Sequence, residues 1–457
     1  MRIAVTIGCI LAMPLAVYSH ADDQFDSFIG IGLFAPNLPT SLAPDPDELI
    51  AQCTQRLTEE TEIHRRIQLL SAKSEAHLVL RQFPQAAETI ALARELDPND
   101  TRVMLICAKV SANAGMIAEA TMLCDSLLKR EPANLSALTF RAHISCQALN
   151  DPESAISDAT AAISIDPNDA RSYLVRSLAK AKTKSYEDAL KDINTYLLLV
   201  GTGPPGQKAI PFILKGQILM AGQRFEEALP VLDLALQLDA ETYAAAECLW
   251  RCYRELDKNV LSILAAEKML RIDPKNNKSH RAAAISYFEA EEIMKAMPHL
   301  EAWHTNDPAD PSPAGLIAAA HFASGSYEKA KNAYDHAILT YPSSIGTRLG
   351  RALFLTTCPD KAILDFDQAL SDIAFVKQSE VLLSDKALRL TAIVQYNAGR
   401  KDEAIVSLRK RATMHPTLSE KEAEVFRQLT EAMESGTALR IAVPSFTRIA
   451  AEASATN

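Results

Sequence analysis

Apolar and polar positions follow a helical rhythm along most of this 457-residue chain. From residue 67 to residue 416, apolar side chains return every three or four positions in short stretches. That spacing puts them on one face of a helix. The segment from Gly216 to Leu238, GQILMAGQRFEEALPVLDLALQL, holds two such stripes separated by a polar turn. Composition agrees: hydrophobic residues make up 48% but aromatics only 6%, and there are only 15 glycines. Alanine and aliphatic side chains favour helices and give sheets little to use.

The stripes repeat. A small residue near the start of every second helix recurs at Ala86, Ala120, Ala155, Ala189, Ala228, Ser262, Ala296, Ala330, Ala362 and Ala404, with gaps of 34, 35, 34, 39, 34, 34, 34, 32 and 42. Seven of these are followed twelve residues later by proline, at Pro98, Pro132, Pro167, Pro274, Pro308, Pro342 and Pro416. A small residue lets two helices cross closely, and a proline stops the second of them. An array of this kind packs unit on neighbouring unit, so chain length does not count domains.

Aromatics stand three residues before the small residue at Phe83, Tyr186, Phe225 and Tyr327, and Asp-Pro closes helices at Asp97-Pro98, Asp166-Pro167, Asp273-Pro274 and Asp307-Pro308. With these marks the stretch from Ile67 to Pro416 resembles the tetratricopeptide repeat family. The resemblance implies an all-α, right-handed superhelical solenoid of about ten helix-turn-helix repeats with capping helices at its ends. It also implies that the first helix of each repeat lines a concave surface, where partners bind. Trp250 and His143 depart from the pattern at a site where the family prefers Gly or Ala, as do Trp303 and Met269 at a later small-residue site.

The ends read as caps. Asp45-Pro46-Asp47-Glu48 opens a helix with Leu49, Ile50, Cys53 and Leu57 on one face. Ser419-Glu420-Lys421-Glu422 opens another, with Phe426, Leu429 and Met433 as its stripe. The expected organisation is a signal peptide over 1–21, a loop or disordered linker over 22–44, and a capping helix with repeats one to four over 45–200. A Gly/Pro-rich connection over 201–207, a longer turn or a hinge, leads to repeats five to ten over 208–416. A capping helix over 417–435 and a tail over 436–457 complete the chain.

The leader rests on Arg2, an uncharged apolar run from Ile3 to Val17, and Ser19-His20-Ala21 before a cut at Asp22. It places the mature chain outside the cytoplasm, secreted or periplasmic, with no integral membrane domain left. The alternative is an uncleaved N-terminal anchor, in a run interrupted by Pro14 and short of the ~20 residues of a span. Of the eight cysteines Cys9 falls within the leader. The seven others show no disulfide framework.

A net charge of −10 argues against a nucleic-acid partner. No metal, cofactor or catalytic constellation is expected. His299 and His304 have the wrong spacing for a zinc-protease helix, and no phosphate-cradling loop or nucleophile elbow occurs. Cys248 and Cys252 are four apart on a helix, but two ligands do not close a zinc site. His77, His143 and His321 fall on inward faces of first helices.

Positive charge gathers on the first helices of the C-terminal half. Basic pairs three apart occur at Arg251/Arg254, Lys278/Arg281, Arg348/Arg351 and Lys386/Arg389, and the same helices carry Phe288, Phe322, Phe354 and Tyr396. Together they describe a groove for a protein or peptide, acidic in character if these cations are what it meets. The alternative is a polysaccharide-binding or cell-envelope assembly accessory protein with an uncleaved N-terminal anchor, an anionic polysaccharide then being the ligand. Two plainer readings compete: Glu247 and Glu255 flank Arg251 at four residues on either side, and the aromatics suit inter-repeat packing. The carboxylate clamp by which some family members grip chaperone C-termini is not expected, since Ser71 and Glu75 occupy its first-repeat places.

Overall fold

The computed structural model describes residues 45–200, 209–378 and 385–414, with further helical positions between 427 and 434; within these, side chains are described through 376, from 390 to 408, and at 427, 429–431, 433 and 434. The expected leader, the linker over 22–44, the 201–207 connection and the 436–457 tail lie outside the described residues. Within them the chain is helical, and no helix is long and apolar enough to cross a membrane.

A first helix, α1 (Pro46–Glu59), begins at the expected cap: the Asp45 carboxylate accepts from the Asp47 backbone N–H, and Pro46 fills the first turn. Ten helix pairs follow. In the N-terminal unit these are α2 (Ile63–Val79) and α3 (Phe83–Leu96), α4 (Thr101–Asn113) and α5 (Ile117–Arg130), α6 (Leu135–Gln147) and α7 (Pro152–Ile165), α8 (Ala170–Lys182) and α9 (Tyr186–Val200), and α10 (Ala209–Ala221) and α11 (Phe225–Leu238). The boundary between the two compact units falls inside α12 (Tyr243–Glu255). The C-terminal unit continues with α13 (Asn259–Ile272), α14 (Asn277–Glu289) and α15 (Ile293–Asn306), α16 (Ser312–Ala323) and α17 (Tyr327–Thr340), α18 (Ile345–Thr357) and α19 (Phe366–Gln378), and α20 (Asp385–Asn397) and α21 (Lys401–Met414). Even-numbered helices are the first of each repeat and odd-numbered ones the second.

Every second helix starts three residues before a buried small residue. Ala86, Ala120, Ala155, Ala189, Ala228, Ser262, Ala296, Ala330 and Ala404 all have 0% exposure, so the expected register holds at nine positions. In the ninth repeat it is corrected. Ala362 lies exposed in the link between α18 and α19, and the buried anchor is Ala369, three residues into α19 and itself preceded by an aromatic, Phe366. That link spans residues 358–365, whereas the other first-to-second links are three or four residues long. The extra residues displaced the count.

The short links share a backbone device. Five residues before the anchor the chain turns left-handed at Arg81, Gly115, Asn150, Lys184, Gln223, Asp257, Glu291, Gly325 and Gly399, with φ between 49° and 79°. This C-terminal cap satisfies the last carbonyls of the first helix, as when the Gln82 N–H donates to the His77 carbonyl. Six of the nine residues carry a side chain and accept the strain. Close packing also dictates Gly350 on α18, where a Cβ would come within 3.1 Å of the Tyr334 ring. At the far end Leu429 and Met433 are helical and buried, while Phe426 of the expected capping stripe lies outside the described residues.

Candidate functional site

Residues about 34 apart meet on successive first helices. Lys109 of α4 reaches Glu75 of α2 at 2.9 Å, the Trp250 indole of α12 donates to Ser286 of α14 at 2.9 Å, and Arg254 of α12 grips Glu289 of α14 at 2.6 Å. The first helices of these neighbouring repeats therefore share a face. The expected groove residues of the C-terminal unit divide sharply on that face.

Three of the four aromatics are not surface. Phe288, Phe322 and Phe354 are 1%, 2% and 0% exposed, and Phe322 meets Phe354 edge-on at 5.1 Å. Phe322 and Phe354 meet across the seam between repeats eight and nine, and burying a ring contributes on the order of 2 kcal/mol. The expectation that they line a binding channel is corrected to inter-repeat packing. Tyr396 is half-buried, and the side chains of Lys386 and Arg389 lie outside the described residues.

Three of the arginines are also committed to the fold. Arg351 holds the fully buried Asp372 carboxylate through Nε and Nη2, both at 2.8 Å, and donates Nη1 to Asp335 of the preceding repeat at 2.8 Å. Arg348 adds a third bond to Asp372 at 3.0 Å, donates to the Pro342 carbonyl, and lies 3.9 Å over the Phe375 ring. Arg254 is spent on Glu289 and stacks on Trp250 at 5.0 Å. Arg254, Arg348 and Arg351 are therefore corrected from groove cations to braces.

The brace recurs. The seventh residue of a first helix is arginine in α6, α8 and α18: Arg141, Arg176 and Arg351. Each guanidinium takes a carboxylate three residues past its own anchor, Asp158, Asp192 or Asp372, in two parallel bonds. Each also reaches a polar group five residues past the previous anchor, Asp125, Thr160 or Asp335. One side chain thus ties three helices. The signal was present in the sequence, as an Arg and an Asp at fixed offsets from the anchor, but it is visible only once the register is known.

Arg251, Lys278 and Arg281 lie on α12 and α14. Lys278 is exposed, while Arg251 and Arg281 are half-buried, Arg281 lying 5.9 Å over the Trp303 ring. Both tryptophans of the chain stand beside this patch.

Helix pairs of 34-residue period, packed through small anchors, decide the architecture. The fold is that of the tetratricopeptide repeat. No family model matches the chain, and neither does any curated protein. Among solved structures, yeast Tom70 is similar over 92% of this chain and 96% of its own at 15% identity, with a TM-score of 0.46. YrrB, described as a tetratricopeptide protein with an unusual peptide-binding site, covers 41% of this chain and 93% of its own at 17% identity and a TM-score of 0.34. PilF of Pseudomonas aeruginosa covers 50% and 95% at 15% identity and a TM-score of 0.38. At this distance the likenesses carry no argument about function.

No group of three or more metal-ligating side chains occurs among the described residues. The seven cysteines described are all buried, and burial pushes the thiols of Cys53, Cys107, Cys124 and Cys358 up, that of Cys124 to about 12. Such thiols are poor nucleophiles at neutral pH.

Proposed function

We propose that this chain is an exported, non-catalytic scaffold that holds an acidic protein or peptide on the first-helix face of repeats six and seven. The observation that supports this reading is the placement of positive charge: Lys278 is exposed, and Arg251 and Arg281 are half-exposed, on two successive first helices. Lys278 and Arg281 fall three apart on one face of α14, so an extended carboxylate-bearing segment laid across the helices meets several charges. Export rests on the leader pattern of residues 1–21 and predicts a mature chain that starts at Asp22.

The test is titration of an oligo-glutamate peptide into the mature chain, read by tryptophan emission, since both tryptophans flank the patch. Saturable binding that weakens as salt rises supports the proposal, because exposed charges are screened beyond roughly 8 Å at physiological ionic strength. Replacing Arg251, Lys278 and Arg281 together by Ala should abolish it. Undiminished binding by that variant at low salt would place the partner elsewhere.

A further inference from the structure

Repeat seven lacks the brace that repeat nine has, and carries histidines in its place. The fourth residue of α18 is Arg348, which bonds Asp372, three past the anchor, and the carbonyl of Pro342. The fourth residue of α14 is His280, which bonds the carbonyl of Pro274 through Nε2 at 3.0 Å and faces His299, three past the anchor, with the two Nδ1 atoms 3.4 Å apart. The seventh residue, arginine in α18, is Ala283 in α14. The acidic group five past the previous anchor persists as Glu267, which accepts from the Tyr287 hydroxyl at 2.7 Å. Tyr287 stacks on His299 with rings 9° apart, so the pair is wedged between α13, α14 and α15.

We infer that a second proton on the His280–His299 pair opens the packing of repeat seven, making it a proton-sensitive joint in the C-terminal unit. The geometry fixes the proton count. His280 uses its Nε2–H on Pro274, so in the neutral pair its Nδ1 is a bare acceptor for the Nδ1–H of His299. One added proton is accommodated, because His280 then donates from Nδ1 to a bare Nδ1 on His299. A second leaves two N–H groups and two cations facing each other across 3.4 Å with no acceptor between them.

The surrounding charges do not relieve this. Burial lowers the pKa of His299, and His280 lowers it further; Glu267 on α13 acts the other way, but its Oε1 already holds the Tyr287 hydroxyl. Lys295 lies 5.7 Å over the Tyr287 ring and pairs with Glu292, while Lys278 and Arg281 add positive charge on the helix of His280. On α16, burial lowers the pKa of His321, Lys329 lowers it further, and Glu301 opposes them. A depressed histidine pKa makes stability fully present above the unfolded-state value near 6.5 and lost as pH falls through the folded value. The joint is closed at neutral pH and opens in acid. The opening does not depend on the partner proposed above.

The experiment follows tryptophan emission of the full chain from pH 8 to pH 4.5, with far-UV circular dichroism alongside. The emission of Trp250 and Trp303 should shift below pH 6.5 while helical signal is retained. His299→Gln, which keeps a hydrogen bond to His280 without a charge, should remove that shift, and His321→Gln should leave it in place. The same shift in His299→Gln as in the parent overturns the proposal. Should that variant fold poorly, hydrogen exchange of the unmodified chain decides. Protection lost in acid across 277–306 but kept across 345–376 supports the joint, and equal loss in both refutes it.

Discussion

Repeats seven and nine have the same helices in the same register, yet they hold together by different chemistry. In repeat nine, two arginines close on Asp372, which is 0% exposed, and Arg351 also ties in Asp335 of repeat eight. In repeat seven the equivalent places hold two imidazoles, His280 and His299, which face each other through Nδ1. The same two positions thus hold an ion pair in one repeat and a pair of imidazoles in the other.

The largest effect should come from breaking the permanent brace. Asp372→Ala leaves Arg348 and Arg351 without their shared carboxylate, and removing one partner of a buried ion pair costs about 3–5 kcal/mol. Denaturant unfolding of the C-terminal unit should show it, and because neighbouring repeats are coupled the loss should spread beyond repeat nine. An unchanged midpoint would mean that the brace is cosmetic.

An acid limit of comparable size belongs to the other unit. His143, fully buried in α6, has its pKa lowered by burial to about 4. The neutral form stabilises the fold above pH 6.5, and about 3 kcal/mol is lost as pH falls from 6.5 to 4. Histidine proton resonances should report His143 as the last ring to titrate. A His143 titration near 6.5 in the folded chain would contradict its burial.

Converting one repeat into the other sharpens the comparison. His280→Arg with His299→Asp rebuilds the Arg348–Asp372 pair in repeat seven, and should flatten the pH dependence of tryptophan emission without the stability loss expected of Asp372→Ala. The smallest effect lies in the links. Glu291, left-handed at φ 63° in repeat seven, should gain roughly 1 kcal/mol as Glu291→Gly, measured by melting. Repeat nine, with its longer link, lacks that site.

Much of the fold was legible because the small anchor and terminal proline recur whatever the intervening residues do. The register failed only at Ala362, a decoy alanine created by the extra residues of the 358–365 link; Ala369 could be chosen only by its burial. The site was less legible. Arg351 finds its carboxylates 21 and 16 residues away on two other helices, and nothing in the local pattern around Arg348 and Arg351 distinguishes them from Lys278 and Arg281. The aromatics misled for a related reason. Phe288, Phe322 and Phe354 fall on first helices, but whether they face a groove or a seam depends on a rotation that periodicity alone does not fix. The left-handed links escaped notice because six of the nine are not glycine.

The central claim, that one set of first-helix cations holds the fold and another holds the partner, is tested by measuring two variants side by side. Arg251, Lys278 and Arg281 replaced together by Ala should bind oligo-glutamate at least tenfold more weakly while melting much closer to the parent than the second variant does. Arg348 and Arg351 replaced together should melt far lower and, where still folded, bind like the parent. The reverse outcome, with binding lost only in the second variant and stability lost only in the first, would contradict the account.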